Sequence, residues 1–218
     1  IGFEGDMPRN LSIALGSMGI TPLNLAEAYS VFASGGVKMR PIAVKYVTDS
    51  RGRVLESNEP EGEQVISPET AFLITSMMED VINYGTGWRI KALGRPVAGK
   101  TGTTNDYRDA WFVGYTTGIV ACVWVGFDDM RPLGNQETGA RAASPIWLNL
   151  MKMIDDGESF GFTVPDGIVS YPIDPSNGLL ARDGKGLKEY FKNGTQPREY
   201  SSSQSVWEGK EPARLDFD

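Results

Sequence analysis

The chain has 218 residues, 40% of them hydrophobic, enough for a sizeable core in one globular domain or one and a fraction. Its net charge of -7 at pH 7 and pI near 4.8 argue against a nucleic-acid partner, because such proteins carry a basic footprint. With no histidine and a single cysteine, Ser-His-Asp catalysis, most transition-metal sites and an intrachain disulfide are excluded, and neither cofactor nor metal is expected.

Three helices are expected, each opened by a hydroxyl residue with proline at the first helical position. Thr21-Pro22 opens the first, where Leu25, Ala28, Tyr29, Phe32 and Ala33 form one apolar stripe and Gly35-Gly36 supplies the stop. Residues 42–47 and 54–56 flank the turn sequence Asp49-Ser50-Arg51-Gly52, which predicts a peripheral hairpin. Residues 56–64 are acidic and nearly devoid of apolar side chains, so a solvated loop is expected there. Ser67-Pro68 opens the second helix, with Ala71, Ile74, Met78 and Val81 on one face and Gly85 as its terminator.

Residues 94–101 (Gly-Arg-Pro-Val-Ala-Gly-Lys-Thr) fit the Gly-x4-Gly-Lys-Ser/Thr phosphate loop letter for letter. That loop needs an apolar strand before its first glycine and a helix opening at the lysine. Residues 88–93 are instead a mixed polar stretch, and Thr101, Gly102, Thr103, Thr104 and Asn105 are poor helix formers. Pro96 also removes an N–H that a phosphate cradle needs. Nucleotide binding is therefore the weaker reading. The stronger one places Lys100-Thr101-Gly102 on a strand edge, since residues 97–104 are short, β-branched and glycine-interrupted, and a strand glycine often marks close approach of a ligand. A peptide substrate then fits alongside as an added strand.

Residues 109–116 and 119–127, separated by Thr117-Gly118, read as a hairpin in the middle of a sheet. Trp111, Phe112, Tyr115 and Trp124 lie on those strands and are expected in the core. Cys122 reads as a small buried hydrophobe. Asp128 and Asp129, adjacent on an extended segment, point to opposite faces and form no acid/base couple. Asn105, Tyr107 and Arg108 fall in the loop after the motif, where a binding role fits, and Trp88 reads as a packed loop anchor near the cleft. Ser144-Pro145 opens the third helix, carrying Ile146, Leu148, Leu150, Met151 and Ile154 before Gly157. Past Gly161 the chain turns polar and rich in Pro, Gly and Ser, a tail that wraps the domain or trails off, with Val206-Trp207 as a local tether.

Taken together, Gly99-Lys100-Thr101-Gly102-Thr103-Thr104, residues 109–115 (Asp-Ala-Trp-Phe-Val-Gly-Tyr) and Trp124-Val125-Gly126 resemble a known family. They look like the end of the transpeptidase domain of class A, bifunctional penicillin-binding proteins, serine acyltransferases whose motifs are Ser-x-x-Lys, Ser-x-Asn and Lys-Thr-Gly. Upstream, Leu11-Ser12-Ile13-Ala14-Leu15-Gly16 and Thr21-Pro22-Leu23-Asn24-Leu25-Ala26 are similar to the segment between the second and third motifs. The resemblance runs from about residue 1 to residue 180. It implies an α+β fold, an antiparallel β-sheet with helices packed on its faces, lacking the N-terminal part of the domain. Neither Ser-x-x-Lys nor Ser-x-Asn occurs in the 218 residues, so the chain alone is expected to form no acyl-enzyme.

The expected division is 1–160 for the C-terminal half of the transpeptidase domain and 161–218 for a C-terminal extension. By the same resemblance, Lys100 supplies charge to the substrate and the Thr103 backbone N–H is half of an oxyanion hole. Thr101, Gly102, Thr103, Thr104, Asn105 and Tyr107 line the substrate. The implied partners are the D-Ala-D-Ala end of a peptidoglycan stem peptide, β-lactams, and the missing N-terminal part of the domain or another copy of the chain. No apolar run reaches the roughly 18 residues of a membrane span, so an anchor upstream of Ile1 is expected, with the domain on the periplasmic or outer face. A non-catalytic binding module on the same scaffold is the alternative.

Overall fold

The computed structural model describes residues 11, 13, 16, 18–154, 160–182 and 184–202. Ser12, Ala14, Leu15, the stop at Gly157 and the tether Val206-Trp207 lie outside the described residues. In chain order come α1 (Pro22–Ala33), β1 (Val37–Met39), β2 (Tyr46–Thr48), β3 (Val54–Ser57), β4 (Gly62–Gln64) and α2 (Pro68–Asn83). A 3-10 helix (Trp88–Leu93) leads to β5 (Ala98–Thr103), β6 (Asp109–Tyr115) and β7 (Val120–Gly126). A π turn (Gly139–Ala143) runs into α3 (Ser144–Ile154), and β8 (Ile168–Ile173) and β9 (Leu187–Lys192) follow.

The first two helices begin as their residues dictate. Thr21 accepts from the Asn24 N–H at 3.2 Å and Ser67 from the Thr70 N–H at 3.3 Å. Each hydroxyl satisfies an amide that the helix cannot, worth about 1 kcal/mol, and the following proline has no N–H to lose.

The central sheet is antiparallel in the order β5-β6-β7. Side-chain alternation splits its residues between two cores. On one face Phe112 packs with Trp147 and Met151 of α3, Ile90 of the 3-10 helix and Val97. On the other, Ala98 and Tyr115 meet Met78 of α2, with Tyr29 and Phe32 of α1 packed against them. Helix α2 runs beside β5 and serves both clusters, Met78 in one and Ile82 in the other. Helices thus cover both faces of an antiparallel sheet, the α+β layering expected from the sequence.

Several expectations change. The buried side of α2 is Ala71, Phe72, Thr75, Met78 and Ile82, rotated from the predicted stripe, because the helix is covered on a second side as well. There Phe72 packs edge-on against Tyr190 of β9 with ring centroids 5.0 Å apart, and Lys192 donates to Thr70 at 2.8 Å. The tail therefore holds a hairpin, β8 with β9, seated on α2. Residues 62–64 are not loop but strand β4, paired with β1; their side chains are exposed, which is why no apolar pattern announced them. The stretch 88–93 is a 3-10 helix ended by Gly94 at φ 79°, a backbone angle suited to glycine.

The third helix also starts earlier than Ser144-Pro145 suggests. Ser144 is interior to a continuous helical run, its amide bonded to the Gly139 carbonyl and its hydroxyl to the Ala140 carbonyl at 2.7 Å. A π turn takes up the register where Pro145 has no N–H to offer.

Candidate active site

Strand β5 is an edge of the sheet, pairing only with β6 among the described residues. The register sets Lys100 opposite Val113, Thr101 opposite Phe112, Gly102 opposite Trp111 and Thr103 opposite Ala110. The Thr104 N–H donates to the Asp109 carbonyl at 3.1 Å, which makes that couple a hydrogen-bonded pair. Antiparallel pairing alternates, so Gly102 and Lys100 bond inward to β6 while Thr103 and Thr101 turn their N–H and C=O groups outward from the edge. The Lys100 ammonium reaches back to one of these, donating to the Thr101 carbonyl at 2.8 Å. Partial desolvation along the strand lowers the Lys100 pKa below the ordinary lysine value.

Both threonine hydroxyls already have protein partners. Thr101 Oγ1 lies 2.8 Å from Thr86 Oγ1, in the turn after α2, and Thr103 Oγ1 accepts from the Gly139 N–H at 3.1 Å. Gly139 is packed hard on the motif: a Cβ there would collide with the Trp111 carbonyl oxygen and with the carbonyl oxygen and nitrogen of Gly102. Arg89 of the 3-10 helix donates to the Ala140 carbonyl at 3.2 Å, tying that helix to the π turn. Gly102 has Trp111 Cβ only 3.1 Å from where its own Cβ would stand, so a side chain on that face would crowd the tryptophan.

Beyond the strand the chain turns back sharply. Asp106 and Tyr107 take left-handed backbone angles, φ 61° and 52°, rare for residues with side chains. The turn is held by Thr104, whose hydroxyl accepts from the Asp109 N–H at 2.8 Å and donates to the Asp109 carboxylate at 3.2 Å, and by the Leu133 N–H donating to the Tyr107 carbonyl at 2.8 Å. Thr104, expected to line substrate, therefore spends its hydroxyl on loop closure. Asn105 is exposed on the turn and Tyr107 is half-buried. Arg108 pairs with Asp106 at 3.4 Å.

Phe112 and Tyr115 are fully buried, whereas Trp124 is exposed, with its indole N–H donating to Asp109 at 2.8 Å. Trp88 is 41% exposed, with the Arg89 guanidinium 5.0 Å from its ring centroid. Asp128 and Asp129 lie in a turn past β7, and Asp129 faces Arg131 at 3.6 Å. Cys122 is half-buried, and burial pushes its thiol up to about 11. With Lys100 inside a strand, the phosphate-loop geometry is absent: no helix opens there.

Sequence reasoning passed over Thr86, Arg89 and Gly139. Only the Gly85-Thr86-Gly87 punctuation hinted at the first, and nothing local marked the other two, whose partners lie 36 or more residues away in the chain.

A family model described as the penicillin binding protein transpeptidase domain matches residues 7–152, and one described as the C-terminal domain of penicillin-binding protein 1A matches residues 164–205. The chain is similar to penicillin-binding protein 1A of Aquifex aeolicus, 42% identical over 189 residues that cover 85% of this chain and 26% of that protein. In structure it is similar to penicillin-binding protein 1A from Haemophilus influenzae, with a TM-score of 0.81 and 34% identity over 87% of this chain and 34% of that one. It also resembles the D,D-transpeptidase domain of a peptidoglycan glycosyltransferase from Eggerthella lenta, with a TM-score of 0.51 and 28% identity over 61% of this chain and 32% of that one. The chain thus spans about a quarter to a third of the length of these relatives. The motif strand, its turn, helices α1 and α2 and most of α3 fall inside residues 7–152, and the chain belongs to the penicillin-binding protein transpeptidase family.

Proposed function

We propose that this chain is the C-terminal half of the transpeptidase domain of a class A penicillin-binding protein and carries the Lys-Thr-Gly wall of a serine D,D-transpeptidase site. The observation behind it is an edge strand that turns the Thr101 and Thr103 N–H and C=O groups outward, carries both their hydroxyls on one face and exposes Lys100 beside them, an arrangement that receives an extended peptide ending in a carboxylate. In the reaction a serine oxygen attacks the carbonyl between two D-alanines, the C–N bond breaks, and D-alanine leaves with a proton. An amine of a neighbouring stem peptide then displaces the serine, forming the cross-link.

Within that reaction Thr101 and Thr103 donate hydroxyl hydrogens to the terminal carboxylate, and Lys100 supplies positive charge. The Thr103 N–H is one oxyanion donor, worth about 3 kcal/mol in the transition state. Gly102 keeps the face clear, and Asn105 and Tyr107 border the groove. The serine and its lysine, absent here as Ser-x-x-Lys, come from a part of the protein outside these 218 residues. That part also covers the exposed edge of β7 and the outer side of α3, and it carries the membrane anchor and a glycosyltransferase domain on the periplasmic side. Residues 161–218 form a C-terminal extension with its own hairpin.

Labelling of the whole protein with a fluorescent penicillin tests the reading. The wild type is expected to label, a Lys100→Met variant at least a hundredfold more slowly, and the 218-residue chain alone not at all. A whole protein that takes no label is a binding module on this scaffold, and the proposal is then wrong.

A further inference from the structure

We infer that Thr86 is a positioning residue for the reaction: its hydroxyl donates to Thr101 Oγ1 and thereby aims the Thr101 proton into the groove where the substrate carboxylate binds. The inference rests on the proposed role of Thr101 and goes beyond it by assigning a function to the turn after α2.

At Thr103 the direction of the bond is unambiguous. Its partner is the Gly139 amide, which can only donate, so a lone pair of the Thr103 hydroxyl is filled and its one proton must point elsewhere. Thr101 stands two residues back on the same face of the same strand. Its hydroxyl also has one partner, Thr86 Oγ1 at 2.8 Å, and either oxygen can be the donor. With Thr86 donating, both hydroxyls are in the same state, lone pair occupied by the protein and proton presented outward. With Thr101 donating, its proton is consumed and the carboxylate loses one of two hydroxyl donors. A bound anion selects the first arrangement, and a hydroxyl that is itself hydrogen-bonded as an acceptor donates more strongly.

Thr86 sits in a hydrogen-bonded turn. The amides of Gly85 and Gly87 both donate to the Val81 carbonyl, at 3.2 and 3.0 Å, and the Ile90 amide donates to the Gly87 carbonyl at 2.9 Å. A side chain at Gly85 would press on the Val81 backbone, and one at Gly87 on Ile82 and the Val81 carbonyl. Arg89, one turn on, grips the Ala140 carbonyl beside the Gly139 that holds Thr103. The segment 85–89 and the π turn therefore form one clamp across the two threonines.

The test uses the whole protein and follows acylation by benzylpenicillin and by its methyl ester, which lacks the carboxylate. Thr86→Val is expected to slow the acid about fivefold, the size of one net hydrogen bond, and to leave the ester unchanged. Thr86→Ser restores the wild-type rate, and Thr86→Val adds nothing to Thr101→Val. Thr86→Ala serves as a second variant if the valine protein lacks a cooperative melting transition. If Thr101→Val slows the acid but Thr86→Val and Thr86→Ala do not, the inference is overturned while the role of Thr101 stands. If the Thr86 variants slow acid and ester equally, Thr86 is only structural and the inference is again overturned. If Thr101→Val changes nothing, the reading beneath it has failed.

Discussion

The hydroxyls of Thr75 on α2 and Tyr115 on β6 meet 2.7 Å apart in the core, 40 residues apart in sequence, and join the motif sheet to the helix beside it. Tyr115 is fully buried, and desolvation holds its phenol above the ordinary tyrosine range. Thr75 also donates to the Ala71 carbonyl at 2.9 Å, so it keeps a partner when the tyrosine changes. Tyr115→Phe is expected to cost about 1 kcal/mol, whereas Thr75→Val strips the bond from a buried phenol and costs about 2 kcal/mol. Chemical denaturation of the two variants checks the order; equal costs would contradict it.

Gly139 is the tightest point of the site. Gly139→Ala places a methyl group against the backbone of Gly102 and Trp111, which cannot move without breaking the β5–β6 ladder. The π turn must retreat instead, and the Gly139 bond to Thr103 goes with it. A loss of about 2 kcal/mol in stability and more than tenfold in penicillin acylation is expected, read by thermal melting and by labelling rate.

Glu79 on α2 gives a pH signature. Burial first, then the neighbouring Asp80, raises its pKa from 4.5 to about 7. The folded state therefore holds this proton more tightly than the unfolded state, and stability falls as pH rises from about 4.5 to about 7. Asp80 and Glu189 are raised by burial too and act in the same direction. Glu79→Gln should flatten this slope and be more stable than wild type at pH 8 by about 1–2 kcal/mol, after allowing for solvent screening of a half-exposed group. Denaturation midpoints at pH 5 and pH 8 supply the comparison.

The chain expressed by itself is expected to self-associate. Strand β7 pairs only with β6 among the described residues, and Ile146, Leu150, Met153 and Ile154 form an exposed apolar stripe along α3. Unpaired edges and stripes of this kind recruit other chains. Elution above the 23.8 kDa of a monomer, shifted back by Leu150→Lys with Met153→Lys, is the expected result. Monomeric elution of the unsubstituted chain counts against it.

Much of the fold could be read ahead of the structure because its signals are local. Thr21-Pro22 and Ser67-Pro68 cap helices with their own hydroxyls, and the apolar-rich runs at 109–116 and 119–127, split by Thr117-Gly118, announce paired strands. Strand β4 escaped because its own residues stay exposed, so no apolar pattern marks it, and the backbone bonds that pair it to β1 have no composition. The start of α3 was misplaced because a proline ordinarily opens a helix, while here a π turn accommodates it inside one.

For the site the division is sharper. Residue chemistry alone determined that a cation, hydroxyls and glycine converge at 100–104 on an extended segment, since strand propensity and motif spacing are properties of neighbours in the chain. Which hydroxyl does what was decided by tertiary structure. Thr104 closes its own turn onto Asp109, Thr101 meets Thr86, and Thr103 meets Gly139. A hydroxyl has one proton and its direction depends on the nearest partner in space; for Thr103 that partner lies 36 residues away, a separation that no pattern in the sequence encodes.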